Sequence, residues 1–238
     1  YKSFLKKLYE YGFTVIQNCK TEMSSVEKIA KKIGYVRESI FGGLWSFESN
    51  EDKADSAYTQ EELRPHTDST YSNDAPGLQL LLCCNYKATG GESIMVDGFK
   101  IAEKIKNEKK EIYDLLTKVE VTGQYIGDGV FLEAKRPILK LNSDQQLTQV
   151  SFNNYDRAPF VMSEDKTKKF YHAIREFDLI ANNKEYQWRR VLRPGDLLIF
   201  NNWRILHGRG SFSGDRKMSG CYINKEDFDS SCRIHKII

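Results

Sequence analysis

The sequence predicts a mainly β protein with flanking helices, folded as a double-stranded β-helix, or jelly-roll barrel. Three observations predict it. Short apolar runs at 78–84, 93–96, 197–200 and 218–223 are bounded by Gly and Pro turns. Residues with metal-binding side chains fall on two different predicted strands far apart in the chain, around 66–68 and at 207. Regular strand–helix alternation and a Gly-rich phosphate turn are both missing, which argues against a doubly wound α/β sheet.

The elements follow in chain order. Residues 1–11 read as a helix, because Phe4, Leu5, Leu8 and Tyr9 share one face, and Gly12 ends it. Residues 13–16 form a short buried strand. Ser24 and Glu27 have capping-box spacing, and Val26, Ile29, Ala30 and Ile33 then form a helical stripe that stops at Gly34. Residues 38–73 are weakly periodic and rich in Gly, Ser, Asp and aromatics, the mark of a long functional loop. Strands at 78–84 and 93–96 are separated by Gly90-Gly91. Residues 99–116 read as one helix, and 137–152 resemble a hairpin. Ser163 is placed to cap a helix carrying Phe170, Ala173, Ile174, Phe177 and Ile180, with His172 off that stripe. A turn at Pro194-Gly195-Asp196 leads into a strand at 197–200, and 218–223 is the last strand.

Composition narrows the function classes. The chain has 238 residues, 40% of them hydrophobic, which suits one large domain. Net charge is +3, from 36 basic and 33 acidic residues, too even a balance to argue for nucleic acid. No apolar run reaches the length needed to span a membrane. The five cysteines are odd in number and lack a C-x-x-C pair. They read as reduced thiols in an intracellular compartment. No secretory signal pattern is present, and the first residue is Tyr1 rather than Met.

The chemistry centres on Arg64-Pro65-His66-Thr67-Asp68. On a strand, residues i and i+2 point to one face, so His66 and Asp68 can hold one cation from one side. Far downstream, His207 ends an apolar run. Two imidazoles and a carboxylate suit non-haem Fe(II) with open positions for co-substrate and O2. A structural zinc site would want four protein ligands. Arg216 lies just before the last strand and can clasp a carboxylate bidentately, with Ser93 adding a hydroxyl. Taken alone, His-x-Asp or Arg216 would read as ordinary surface residues. Phe41, Trp45, Tyr58 and Tyr222 make either core aromatics or an aromatic cage for a quaternary ammonium group.

Several segments together resemble a known family. They are Asp55-Ser56-Ala57-Tyr58-Thr59-Gln60, His66-Thr67-Asp68-Ser69-Thr70-Tyr71, Gly90-Gly91 with Val96-Asp97-Gly98-Phe99, Asn153-Asn154-Tyr155-Asp156-Arg157-Ala158, and Asn202 through Arg209, ending in Gly220-Cys221-Tyr222. From about residue 41 to 233 the chain is similar to the 2-oxoglutarate-dependent Fe(II) dioxygenases of carnitine biosynthesis, within the taurine dioxygenase superfamily.

The resemblance implies iron bound by His66, Asp68 and His207, and Arg216 on the distal carboxylate of 2-oxoglutarate. O2 is the second co-substrate, and ascorbate serves such enzymes as a reductant. The resemblance places Trp45, Tyr58 and Tyr222 around a trimethylammonium group. Phe41 stands where members acting on γ-butyrobetaine carry Tyr, and Asn153 matches an Asn that contacts the substrate carboxylate. Asp55 stands where those members carry Asn. An Asp repels a carboxylate but pairs with an α-ammonium, which trimethyllysine has and γ-butyrobetaine lacks. The implied activity is therefore C3 hydroxylation of N6-trimethyllysine, with γ-butyrobetaine hydroxylation as the alternative. A third alternative is a non-enzymatic metal-binding jelly roll. The expected partner is a small quaternary-ammonium amino acid, with neither nucleic acid nor membrane, and a homodimer is compatible. Residues 1–238 are expected to form one catalytic domain, without the N-terminal zinc-binding domain usual in such enzymes. The implied compartment is the mitochondrial matrix for a eukaryotic source and the cytoplasm otherwise.

Overall fold

The computed structural model describes residues 1–48 and 60–238. Helix α1 (Lys2–Tyr11) ends at Gly12, whose φ of 77° lies in the left-handed region, and strand β1 (Phe13–Ile16) follows. Next come α2 (Met23–Ile33), β2 (Val36–Arg37), β3 (Leu44–Glu48) and β4 (Leu63–His66). The long β5 (Leu78–Gly90) turns through Gly90 and Gly91 into β6 (Ser93–Asp97). Helices α3 (Gly98–Glu108) and α4 (Lys110–Lys118) precede two hairpins. These are β7 (Glu120–Gly127) with β8 (Val130–Pro137), then β9 (Leu139–Leu141) with β10 (Leu147–Val150). Helix α5 (Glu164–Ala181) leads to β11 (Gln187–Arg190), β12 (Leu197–Asn201), β13 (Ile205–Arg209) and β14 (Phe212–Ile223), and α6 (Lys225–Ile234) follows.

Two antiparallel sheets make the barrel. In the larger, β1, β12, β5, β14 and β2 lie side by side, and β3 also pairs with β14. In the smaller, the order is β11, β6, β13, β4. Alternation along the strands decides what each face touches. Leu78, Leu80 and Leu82 of β5 join Leu197 and Ile199 of β12 on one face, packed with residues of α1, α2 and α6 such as Leu8, Val26 and Phe228. Cys83, Leu198 and Phe200 point the other way and meet Met95 and Ile205 from the smaller sheet. That second group is the layer between the sheets. On the outer face of the smaller sheet, Ile94, Val96 and Leu206 pack against Ile101 and Ile105 of α3, Leu116 of α4 and Phe170 and Phe177 of α5. The central strands are thus buried on both faces, which is why they read as continuous apolar runs. Mainly β with flanking helices, in a double-stranded β-helix, is the architecture.

Some local expectations are corrected. The helix expected over 99–116 is broken at Lys109 (φ −143°, ψ 65°), giving α3 and α4 at an interruption that no Gly or Pro announces. Ser24 and Glu27 do not form a capping box. Helix α2 already starts at Met23, and the Ser24 hydroxyl donates to the Glu22 carboxylate instead (3.1 Å). Ser163 takes the N-cap position of α5 but makes no side-chain cap bond. The expected long loop contains β3 and β4, because edge pairing with β14 and β13 supplies what local periodicity lacks. Asp97 does cap α3, accepting from the amides of Phe99 (3.0 Å) and Lys100 (3.4 Å), and it also pairs with Arg204 at 2.6 Å.

Leu80 is fully buried in the layer between the larger sheet and its helices. Leu80→Ala leaves a cavity there and should lower unfolding free energy by about 2–5 kcal/mol, read from the midpoint shift in urea.

Candidate metal centre and its cavity

Antiparallel pairing of β4 with β13 sets His66 directly opposite His207. Their ring centroids are 4.3 Å apart. Both Nε2 atoms face the same oxygen of Asp68. Oδ1 is 3.4 Å from His66 and 3.3 Å from His207. One ligand atom from each of the three residues lies within 4.8 Å of the others. The His207 ring is also flanked by Phe200, centroid to centroid 4.7 Å.

Asp68 itself is not on the strand, contrary to the expectation that i and i+2 share a strand face. β4 stops at His66, and Asp68 sits in the turn that follows, just before Ser69, which has a φ of 56°. The reason is Asn202. Its Oδ1 accepts from the Asp68 amide (2.8 Å), and its Nδ2 donates to the carbonyls of Asp68 (3.2 Å) and Pro76 (3.0 Å). Asn202 is almost wholly buried, at 1% exposure, so these bonds are made out of reach of solvent. Thr67 ties the same turn to Phe152, whose amide donates to the Thr67 hydroxyl at 2.9 Å. Arg136 from β8 holds the turn's far side, donating to the carbonyls of Ser69, Thr70 and Ser72.

Orientation of the donors extends one layer further out. The Nδ1 of His66 lies 2.8 Å from the Arg64 carbonyl. A carbonyl only accepts, so Nδ1 carries the hydrogen and Nε2 offers its lone pair. The Tyr222 hydroxyl donates to Asp68 Oδ2 at 2.8 Å, leaving Oδ1 for the shared focus. The Nδ1 of His207 is buried with no hydrogen-bond partner among the described residues. Electrostatics follow the geometry. Burial works against ionised Asp68, but His207 and His66 outweigh it and hold the carboxyl well below its ordinary range. Burial likewise opposes charge on His66, yet the bonds to Asp68 and Arg64 raise its pKa, whereas burial dominates at His207 and lowers it. Two nitrogens and one carboxylate oxygen, with no fourth protein ligand among the described residues, fit a divalent metal held from one side.

The triad opens into a cavity of about 630 Å³ between the sheets, a size usual for small-molecule sites. Arg216 lines it from β14, next to the register shift at Lys217/Met218. Its guanidinium is buried, which pulls its pKa down, and it makes no ion pair among the described residues. A buried cation in that condition is a receptor for an anion. Ser93 lines the same wall, paired in register with Arg209. Arg209 is buried too. Burial and the neighbouring Arg216 bring its pKa down to about 10, and it donates to the Glu61 carbonyl at 2.6 Å.

Aromatic rings form another part of the lining. Trp45 lies 5.5 Å from Tyr222 and stacks on Phe47 at 5.8 Å, and Phe41 lines the cavity beside them. Because Tyr222 also bonds Asp68, this wall is one residue away from the triad. Asn153 lines the cavity, but its Nδ2 donates to Asp156 (2.7 Å) and its Oδ1 accepts from the Tyr155 amide (2.9 Å). Asp55 and Tyr58 lie outside the described residues. The β7–β8 hairpin overhangs the cavity with Tyr125, Ile126 and Asp128.

Sequence reasoning missed Asn202, Arg136, Gln79 and the hydroxyl role of Tyr222. Gln79 Oε1 and Trp45 Nε1 are buried cavity-wall atoms without hydrogen-bond partners among the described residues. A Gln inside an otherwise apolar strand was the one available signal. Nothing in sequence spacing joins Asn202 to Asp68 or Arg136 to the turn at 69–72.

Comparison with known proteins agrees with this geometry. The family described as "Taurine catabolism dioxygenase TauD, TfdA family" matches residues 2–222. Trimethyllysine dioxygenase of Meyerozyma guilliermondii is 37% identical, over 99% of this chain and 60% of that protein. The mitochondrial trimethyllysine dioxygenase of Homo sapiens is 34% identical, over 98% and 57%. Gamma-butyrobetaine dioxygenase of Pseudomonas sp. (strain AK-1) is also 34% identical, over 94% and 59%. The chain thus spans a little over half the length of these relatives. A solved taurine dioxygenase from Burkholderia xenovorans shares the fold, with a TM-score of 0.67 at 11% identity, covering 93% of this chain and 81% of that one. With the matched segment running through both sheets and all three candidate ligands, the chain belongs to the taurine catabolism dioxygenase TauD, TfdA family.

Proposed function

We propose that the protein is an Fe(II)- and 2-oxoglutarate-dependent dioxygenase that hydroxylates N6-trimethyllysine at C3. The observation that carries the reaction class is the placement of Arg216, buried and without an ion pair among the described residues, in the cavity onto which the His66–Asp68–His207 cluster opens. A metal held by three ligands on one side keeps its other positions for reactants. Bound iron with 2-oxoglutarate and O2 supplies the oxidation, in which the co-substrate becomes succinate and CO2 and one oxygen atom enters a substrate C–H bond. The chain's own residues position and shield. Arg216 takes the far carboxylate of the co-substrate, and Ser93 adds a hydroxyl. Tyr222 keeps Asp68 turned toward the metal while its ring, with Trp45 and Phe41, receives the trimethylammonium group by cation–π attraction. Holding both ends of a substrate fixes which C–H lies near the metal.

The choice of trimethyllysine rests on charge and on kinship. Asp55 suits a substrate bearing an α-ammonium, and relatives at 34–37% identity are trimethyllysine dioxygenases. The Pseudomonas relative supports γ-butyrobetaine as the second reading. As the human relative is mitochondrial, the mitochondrial matrix is the compartment proposed for a eukaryotic source.

Succinate release, followed across a panel of quaternary amines, should require Fe(II) and be fastest with trimethyllysine. Asp55→Asn should move the preference toward γ-butyrobetaine, and normal turnover by His66→Ala would overturn the reading. Arg216→Met should raise the KM for 2-oxoglutarate by at least about 30-fold, the effect of removing one partner of a buried charged pair, while Co(II) affinity in its absence stays near wild type. Tyr222→Phe keeps the ring but frees Asp68 Oδ2. Metal affinity, measured by titration with Co(II), should fall about 10–100-fold.

A further inference from the structure

We propose that the aromatic box also takes N6,N6-dimethyllysine, whose single N–H donates to the Gln79 carboxamide, so that the protein hydroxylates two methylation states of one amino acid. This second activity rests on the trimethyllysine reading and widens its substrate range. Gln79 is the one polar residue in the run from Leu78 to Leu82 of β5, and it is 5% exposed. Its direction follows from register. Gln79 pairs with Phe200 of β12 on one side and with Tyr222 of β14 on the other, and residues directly opposite on antiparallel strands share a face. Phe200 lies against His207, with 4.7 Å between ring centroids, and Tyr222 donates to Asp68. Gln79 therefore faces the inner layer between these two residues, and it lines the cavity.

The box and Gln79 share that face. Gly220 pairs with Trp45 of β3 on one side and with Leu81 of β5 on the other. A Cβ at Gly220 would lie 2.4 Å from Trp45 Cη2 and 2.6 Å from Cζ3. The outer edge of the indole thus crosses β14 where only a glycine leaves room. That edge and the Tyr222 ring, whose centroid is 5.5 Å from that of Trp45, stand next to β5 at Leu81 and Gln79. Gln79 Oε1 has no hydrogen-bond partner among the described residues, and neither has Trp45 Nε1. The carboxamide is an uncommitted polar group beside rings that otherwise offer π faces. Rotation about its last torsion is soft, so its acceptor end or its donor end can turn to a ligand.

The two methylated cations ask different things of that oxygen. A trimethylammonium presents only C–H groups, whose hydrogen bonds are weak. A dimethylammonium keeps its proton at neutral pH, as lysine does, and presents one N–H, a charge-assisted donor. The N–H meets Oε1 directly, or through a water standing where the third methyl would be. Attraction to the rings is kept, because it comes from the charge over their faces. Among rings alone the N–H would be desolvated and unpaired, which is unfavourable, and Gln79 removes that penalty. The reaction is unchanged. 2-Oxoglutarate and the C3–H bond each give two electrons to O2, one oxygen atom ends in succinate beside released CO2, and the other ends in the C3 hydroxyl.

The test compares the two amino acids on wild type and Gln79→Leu, each loaded with Fe(II) and 2-oxoglutarate. Kd is read by calorimetry without O2, and kcat/KM from succinate release with O2. Loss of one methyl from a purely apolar pocket weakens binding by about 10–200-fold. Wild type should instead hold and turn over dimethyllysine within about 10-fold of trimethyllysine. Gln79→Leu should lower the dimethyl-to-trimethyl ratio at least about 10-fold in both measures, the loss of a hydrogen bond to a charged group. A wild-type preference for trimethyllysine beyond that limit overturns the proposal. So does a smaller change of the ratio in Gln79→Leu, which means that water or protein already satisfies the amide. Trimethyllysine binding without turnover overturns the reaction reading instead, and the Kd ratio still decides the role of Gln79. Should Gln79→Leu fail to fold, the wild-type limit and Gln79→Met decide in its place.

Discussion

The clasp of Asn202 on the backbone of Asp68 is the constraint on which the centre depends. The pairing of β4 with β13 brings two imidazoles face to face, but strand geometry alone would send the chain past them. By taking both the amide and the carbonyl of Asp68, a buried side chain bends the path so that the carboxylate returns to the imidazoles. Each neighbouring contact then has a definite task. Tyr222 turns the carboxylate, the Arg64 carbonyl sets the tautomer of His66, and Thr67 and Arg136 anchor the turn on either side. The sheets act as a frame that determines distance, and polar side chains determine direction.

The cavity is arranged as two chemically opposite walls. One wall, from β14, β13 and β6, carries buried guanidinium groups and a serine hydroxyl. The other, from β3 and the end of β14, carries stacked rings. Strand β14 supplies both Arg216 and Tyr222, so the run of the strand between them, with its register shift at Lys217/Met218, sets their separation.

Much of this was legible in the sequence. The alternation of Gly and Pro turns with apolar runs gave the barrel, since strands buried on both sides must be apolar throughout. His66, Asp68, His207 and Arg216 were legible only through the run of family-like segments around them, since His-x-Asp or Arg216 alone would read as ordinary surface residues. Contacts between distant segments were not. Asn202 looks like a turn residue and Arg136 like a surface cation until the fold brings them against the ligand turn. Helix α3 and α4 read as one because the break at Lys109 is imposed by packing against α5 and not by local composition. Strand β3 was hidden for the converse reason, since it exists by pairing with β14 and has little pattern of its own.

The β7–β8 hairpin pairs in register with itself from Glu120 opposite Pro137 to Gly127 opposite Val130, and among the described residues its strand pairing outside itself is a bridge from Gly123 to Arg157. Its tip carries Ile126 and Phe131 largely in solvent, while Tyr125 and Asp128 reach the cavity. The base of this roof is tied to the ligand turn by Arg136, but among the described residues its outer half pairs with no strand of the two main sheets. Its outer half can therefore diverge in shape and polarity without any cost to the barrel, and it is the natural place for relatives that share one metal centre to part company over what they admit.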